Sequence, residues 1–324
     1  MGNEFGLAFS NVTELAAIAS YKWLGKGDKN QADASAVDAM RKALNKMNIR
    51  GTIVIGEGEI DEAPMLYIGE NVGSGSYEVD IAVDPIEGTR MTALGQSNAI
   101  SVLAASEAGG LLKAPDMYME KIIVSSKAKG VIDLDLSLEE NLELIASRLN
   151  KKVENLVVAT LDKPRHQSMI KNIQKLGVKV YAFPDGDVAA SVLACLSNND
   201  VDLVYCIGGA PEGIISAAMV KALNGDMNAR LLSRATVKGD IGDNLEVSKL
   251  EESRCNEMGV SIGEKLTLSD MIKTDRLIFV ATGITKGDIV DGVEFTDNFF
   301  TTHTLLIDGI SGSIRNIYTK HLNK

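Results

Sequence analysis

Two carboxylates and a hydroxyl fall on one corner of the chain, in Asp84-Pro85-Ile86-Glu87-Gly88-Thr89. The apolar run Val79–Val83 before it, broken only by Asp80, has the pattern of a strand buried on both faces. Pro85 fixes its own φ and drives Asp84 to extended geometry, which predicts Asp84 at the strand's end. Gly88 has no Cβ, so the backbone there can turn sharply or approach a ligand. Asp84 and Glu87 then project together with Thr89 beside them, a set of hard oxygen donors suited to Mg²⁺ or Mn²⁺ and a phosphate. Alone, the same six residues also fit an acidic turn solvated at the surface.

A second acidic group sharpens the choice. Glu57, Glu59, Asp61 and Glu62 place four acids within six positions, just after the apolar strand pattern Thr52–Ile55. Such a cluster repels itself unless water or a cation intervenes. Asp33 opens a predicted helix over residues 34–45, as a cap or as a further carboxylate aimed at a metal. Lys29, after Gly25-Lys26-Gly27-Asp28, either ends a solvated cationic turn or faces the anionic site.

Further along, polar residues follow three predicted strands. Lys163-Pro164-Arg165 follows 156–159, Asp185-Gly186-Asp187 follows 178–183, and Gly208-Gly209-Ala210-Pro211-Glu212-Gly213 follows 201–207. Ligands bind beyond the carboxyl ends of strands in open α/β sheets. On their own, Lys163 and Arg165 fit either a solvated helix start, with Pro164 at a first helical position, or a cationic ligand contact. There is no G-x-G-x-x-G fingerprint and no P-loop. His166, His303 and His321 have no metal-ligand spacing.

These residues need a scaffold. Asn11 with Glu14 resembles a capping box and predicts a first helix from there to about Trp23. Residues 1–150 give two helices and then a largely antiparallel sheet, an α+β metal-binding domain. From residue 151 onward, strands alternate with helices at βαβ spacing, which predicts a parallel sheet in an α/β substrate-binding domain over 151–324. The expected fold is thus mixed α/β and α+β, layered helices and sheets in two packed domains, with the cleft between them as the default ligand site.

Composition bounds the function. The chain has 324 residues, 45% of them apolar, so a large core is available without disulfide or structural metal. Three cysteines without a C-x-x-C pair fit a reducing cytoplasm. Residues 1–10 lack the basic and apolar regions of a secretory signal, and no apolar stretch is long enough to predict a membrane span. A net charge of −11 repels nucleic acid, and no basic aromatic strip offsets it.

In combination, Asp33, Gly56-Glu57-Gly58-Glu59 with Asp61-Glu62-Ala63-Pro64, Asp84–Thr89 and Gly208–Gly213 resemble the class II fructose-1,6-bisphosphatases (the GlpX type) of the lithium-sensitive, metal-dependent sugar phosphatase superfamily. The resemblance runs along nearly the whole chain. It implies that Asp33, Glu57, Asp84, Glu87 and Glu212 hold Mn²⁺ or Mg²⁺. It implies that Glu87, Gly88, Thr89, Tyr118, Lys163, Pro164, Arg165, Asp185, Gly186, Asp187 and Gly209 line a substrate site for a sugar bisphosphate. It further implies a homo-oligomer, dimer or tetramer, and a role in gluconeogenesis. On this basis Thr89 would orient the attacking water, Asp61 would act as a base, and Glu212 would close the cation site. Alternatives within the superfamily are sedoheptulose 1,7-bisphosphate and inositol or nucleotide monophosphates. Outside enzymes, the alternative is a sugar-phosphate sensor.

Overall fold

The structure, a computed structural model, describes residues 3–58, 65–196 and 200–323. In chain order the elements begin with α1 (Asn3–Tyr21), α2 (Lys29–Leu44), β1 (Arg50–Ile55), β2 (Asn71–Val72), β3 (Glu78–Glu87), α3 (Thr89–Leu94) and β4 (Ile100–Glu107). They continue with β5 (Tyr118–Val124), α4 (Leu138–Leu149), β6 (Val157–Leu161), α5 (Gln167–Lys175), β7 (Lys179–Phe183), α6 (Asp187–Cys195), β8 (Leu203–Gly209) and α7 (Ala210–Ala222). Then come β9 (Asp226–Leu232), α8 (Arg234–Lys238), α9 (Asn244–Met258), β10 (Lys265–Thr267), α10 (Leu268–Met271), β11 (Leu277–Gly283), β12 (Glu294–Thr296), β13 (Phe299–Asp308) and β14 (Ser313–Leu322). The fold is mixed α/β, with two sheets and ten helices among the described residues.

Two compact units divide the chain: Met1–Leu111 with Thr274–Lys324, and Leu112–Lys273. The single cut expected near Asn150 does not coincide with this division. β5 precedes residue 150 yet lies inside the second sheet, between β8 and β9, while β11 and β13 belong to the first.

The first unit holds the sheet β12-β13-β11-β4-β3-β1-β2, with β14 beside β13. Only β1 and β3 run parallel; the other pairs are antiparallel, as expected for this half. Helix α1 packs on β11 and β13. It starts eight residues before the expected Asn11, because Phe5, Phe9, Val12 and Ala16 continue one apolar stripe back to its first turn. Gly6 is tolerated there since a Cβ would stand 3.0 Å from Leu306 Cδ1. Asn11 and Glu14 are therefore interior, and the buried Glu14 accepts from Thr319 Oγ1 at 2.9 Å. Helix α2 also starts early. Asp28, not Asp33, caps it, accepting from the Gln31 N–H at 3.0 Å.

The second unit holds the sheet β10-β9-β5-β8-β6-β7. Strands β7, β6 and β8 run parallel, as βαβ spacing predicts. The all-parallel expectation fails beyond β8: β5, β9 and β10 are each antiparallel to their neighbours. The strand order explains it. β9 follows β8 through the crossover helix α7 and runs in the same direction, but β5, which comes from before the βαβ repeats, lies between them antiparallel to both.

Candidate active site

In the first unit the Asp84 corner is built from a bulge. β3 lies between β1 and β4 and does not end at Asp84; it continues to Glu87. Asp84 pairs with Val102 and Glu87 with Ile100, so two residues, Pro85 and Ile86, oppose one. Pro85 has no N–H to give a ladder, and a bulge is where a central strand tolerates it. Asp84 Oδ1 accepts from the Ile86 N–H at 3.0 Å, which fixes the turn. Gly88 follows at φ 90°, and α3 starts at Thr89, whose Oγ1 donates to the Ile86 carbonyl at 3.2 Å.

Parallel pairing brings Glu57 to the same end of the sheet. Ile55 of β1 is opposite Ala82 of β3, so Glu57 and Asp84 each lie two residues further on. Asp33 sits on α2, which packs against β3 and α3. Burial holds its carboxyl above the ordinary carboxylate range. Lys29, exposed, is four residues earlier and on the same helix face. Glu87 is 3% exposed, and Asp33, Glu57 and Asp84 are half-buried. Asp61 lies outside the described residues, as do Glu59 and Glu62. Among the described residues no three His, Cys, Asp or Glu stand close enough together to hold a metal ion. The donor chemistry nonetheless fits a hard divalent cation: the set is carboxylate oxygen alone, and the burial that penalises the Asp33 charge is what a cation would offset.

In the second unit the three predicted loops converge on the carboxyl end of β6, β7 and β8. Lys163 Nζ reaches Asp185 Oδ1 at 2.5 Å, joining the loops after β6 and β7. Pro164 opens a short 3₁₀ turn that carries Arg165 and His166. That turn covers an edge. β6 pairs with β8 only at Leu203 and Val204, leaving the later β8 residues bare on that side. Arg165 Nε donates to the Ile207 carbonyl at 2.8 Å, and His166 Nε2 accepts from the Ile207 N–H at 2.8 Å. Burial, then the neighbouring Arg165 charge, lowers the His166 pKa to about 4. Arg165 also stacks its guanidinium over Tyr118, 5.3 Å from the ring centroid, with Lys238 at 5.7 Å. Its terminal nitrogens have no partner among the described residues.

β8 runs two residues past its expected end, through Gly208 and Gly209. At both glycines a carboxylate oxygen stands where a side chain would begin. A Cβ on Gly208 would stand 1.9 Å from Asp187 Oδ2, and one on Gly209 would stand 2.0 Å from Glu212 Oε2. Asp187 starts α6 after Gly186, which is left-handed at φ 96°. Glu212 lies in the first turn of α7, after Pro211. Burial, then the Asp187 charge, raises the Glu212 pKa to about 7. Tyr118 pairs with Gly209 across β5 and β8.

One residue of this cluster was not foreseen. Lys121 of β5 is fully buried, with Nζ 2.8 Å from Asp187 Oδ2 and 3.2 Å from the Gly209 carbonyl. Burial alone would lower its pKa, but Asp187 holds it above the ordinary lysine value. Its signal in the sequence is phase: Lys121 alternates with Met119 and Ile123, on the face that strand periodicity buries.

Both units thus gather acidic and basic side chains at sheet ends within a mixed α/β fold, the fold of a sugar phosphatase. Residues 3–321 match the family described as bacterial fructose-1,6-bisphosphatase, glpX-encoded, and the chain belongs to that family. It is 58% identical over 322 residues to the fructose-1,6-bisphosphatase 1 class 2 of Escherichia coli (strain K12), covering 99% of this chain and 96% of the relative. The class 2 enzyme of Haemophilus influenzae is 56% identical, covering 99% and 97%. A D-fructose 1,6-bisphosphatase class 2/sedoheptulose 1,7-bisphosphatase of Trichodesmium erythraeum is 42% identical over 338 residues, covering 99% and 97%.

Proposed function

We propose that the protein hydrolyses the 1-phosphate of fructose 1,6-bisphosphate, releasing fructose 6-phosphate and phosphate in gluconeogenesis. The observation that carries this reading within the family is Arg165. Its Nε is committed to the strand edge, so its fork is held over Tyr118 and its outer nitrogens are left for an anion. A second phosphate reader of this kind, with Lys163 beside it, serves a bisphosphate and is superfluous for an inositol or nucleotide monophosphate. Full-length similarity to class 2 fructose-1,6-bisphosphatases supports the same substrate.

Asp33, Glu57, Asp84, Glu87 and Glu212 would hold Mn²⁺ or Mg²⁺. Such a cation, when bound, neutralises the ester's charge and makes a water molecule acidic near neutral pH. The chain's own groups do the rest. Thr89 gives its hydroxyl proton to the Ile86 carbonyl, so its free lone pair accepts a hydrogen bond from the attacking water and orients it. Asp61 takes that water's proton. The water oxygen forms a new P–O bond as the ester P–O bond breaks, and the sugar oxygen leaves and takes up a proton from solvent. Gly88 and the first N–H groups of α3 hold the reacting phosphate, and Lys29 lowers the negative potential around it. Asp185, Asp187 and Gly209 hold the sugar.

Sedoheptulose 1,7-bisphosphate is a second substrate reading, favoured by the names of the relatives at 42% identity. The deciding assay is phosphate release from fructose 1,6-, sedoheptulose 1,7- and monophosphate sugars with Mn²⁺ or Mg²⁺, repeated with chelator. Release from the bisphosphates alone, abolished by chelator, is expected. Chelator-resistant turnover would remove the cation from the reading, and binding without release would leave a sensor.

The protein acts in the cytoplasm, a location supported by its free cysteines, Cys195, Cys206 and Cys255. Among the described residues no helix is long and apolar enough to cross a membrane. Neither nucleic acid nor membrane is a partner; the acidic charge of −11 supports the first exclusion. Homo-oligomerisation, as dimer or tetramer, is supported by β14, a ten-residue strand that pairs only with β13 among the described residues.

A further inference from the structure

Lys121 carries an inference of its own. A fully buried ammonium has to be matched by acceptors, and here the acceptors are substrate-side groups: Asp187 Oδ2 at 2.8 Å and the Gly209 carbonyl at 3.2 Å. Asp187 is 5% exposed, and its other oxygen, Oδ1, is buried with no hydrogen-bond partner among the described residues. A charged oxygen left this way calls for a donor. Gly208 lets the pair form, because any Cβ there would occupy the position of Oδ2. Cys206, in register with Lys121 across β5 and β8, lies 3.7 Å from the same Oδ2, so the ammonium and the thiol both address that oxygen.

We propose that Lys121 is the positioning residue of the sugar site: it pins Asp187 by Oδ2 so that Oδ1 is kept as the acceptor for a hydroxyl of the substrate. The role rests on the reading that Asp187 binds the sugar. Lys121 itself touches no substrate. It fixes the rotamer of Asp187 and the direction of the Gly209 carbonyl. A rotamer free to turn would present either oxygen or neither, and binding would weaken with little change in the chemical step.

The test uses the full-length enzyme with Mn²⁺ and fructose 1,6-bisphosphate. Lys121→Met, Asp187→Asn and the double variant are compared with wild type for KM, kcat and thermal midpoint. Lys121→Met strands a buried carboxylate, so its midpoint should fall. In the double variant both charges are gone and the midpoint should recover. The positioning role requires KM to be raised, tenfold or more, in each single variant, with kcat within about threefold of wild type. It also requires the double variant to show the KM of Asp187→Asn, because a lysine that acts only through Asp187 adds nothing once that carboxylate is gone, whereas an independent structural effect would raise KM further. If Lys121→Met does not fold, the double variant decides. Wild-type KM in the double variant or in Asp187→Asn overturns the proposal. A wild-type enzyme that releases no phosphate overturns the activity instead, and the two failures are distinct.

Discussion

Arg165 and His166 are neighbours that spend their polar atoms on the same residue, Ile207. Arg165→Ala removes a charge-assisted contact worth roughly 1.5–3 kcal/mol, so KM should rise about tenfold to a hundredfold with kcat little changed. Steady-state kinetics checks this, and a loss confined to kcat would count against a phosphate-binding role. His166 gives a pH signature. Its pKa falls from 6.5 to about 4 on folding, so between these values the unfolded chain binds more protons than the native one. Stability from this group is complete above pH 6.5 and is lost as pH falls towards 4, by up to about 3 kcal/mol. His166→Gln can still accept from Ile207 and should flatten the fall of thermal midpoint between pH 6.5 and 4. Charged residues after strands, such as Lys163, Asp185 and Asp187, were legible because loops seldom concentrate charge without a task. Lys121 was not, because its meaning depends on Asp187, which only the fold brings to it.

At the scale of elements, strand ends position the site. The Pro85 bulge bends β3 as it delivers Glu87, and β8 extends past β6 to deliver Gly208 and Gly209. Helix existence was legible where periodicity is strong, as in α4 and α5. Starts were less so: α1 and α2 begin earlier than their apparent caps because tertiary packing and Asp28 outweigh local signals. The Gly-Gly pair was legible as a motif, but its physical reason was not. Gly208→Ala tests that reason. The added Cβ cannot share space with Asp187 Oδ2, and Asp187 can retreat only by leaving Lys121. Destabilisation of about 1–3 kcal/mol is expected, together with a raised KM. An unchanged thermal midpoint and KM would show that Asp187 has another place to stand.

For the whole molecule, the order of the chain differs from the order of its units. The second unit is an insertion whose ends meet: the Leu112 N–H donates to the Met271 carbonyl at 2.8 Å. Just outside it, Ser106 of β4 pairs with Leu277 of β11, so the first sheet closes across the insertion. One sequence cannot display this readily, because β5 looks like a continuation of the strands before it and β11 like a continuation of those after α9. The consequence is testable with fragments. Residues 112–273 contain the whole second sheet and a hydrophobic core cluster of their own, and should fold alone with a cooperative thermal transition by circular dichroism. Residues 151–324 lack β5, which joins β8 to β9, and carry β11 and β13 without β4. That fragment should be disordered or aggregate, since it exposes unpaired strand edges in both sheets. A cooperative melt from 151–324 and none from 112–273 would restore a boundary near Asn150 and overturn the insertion.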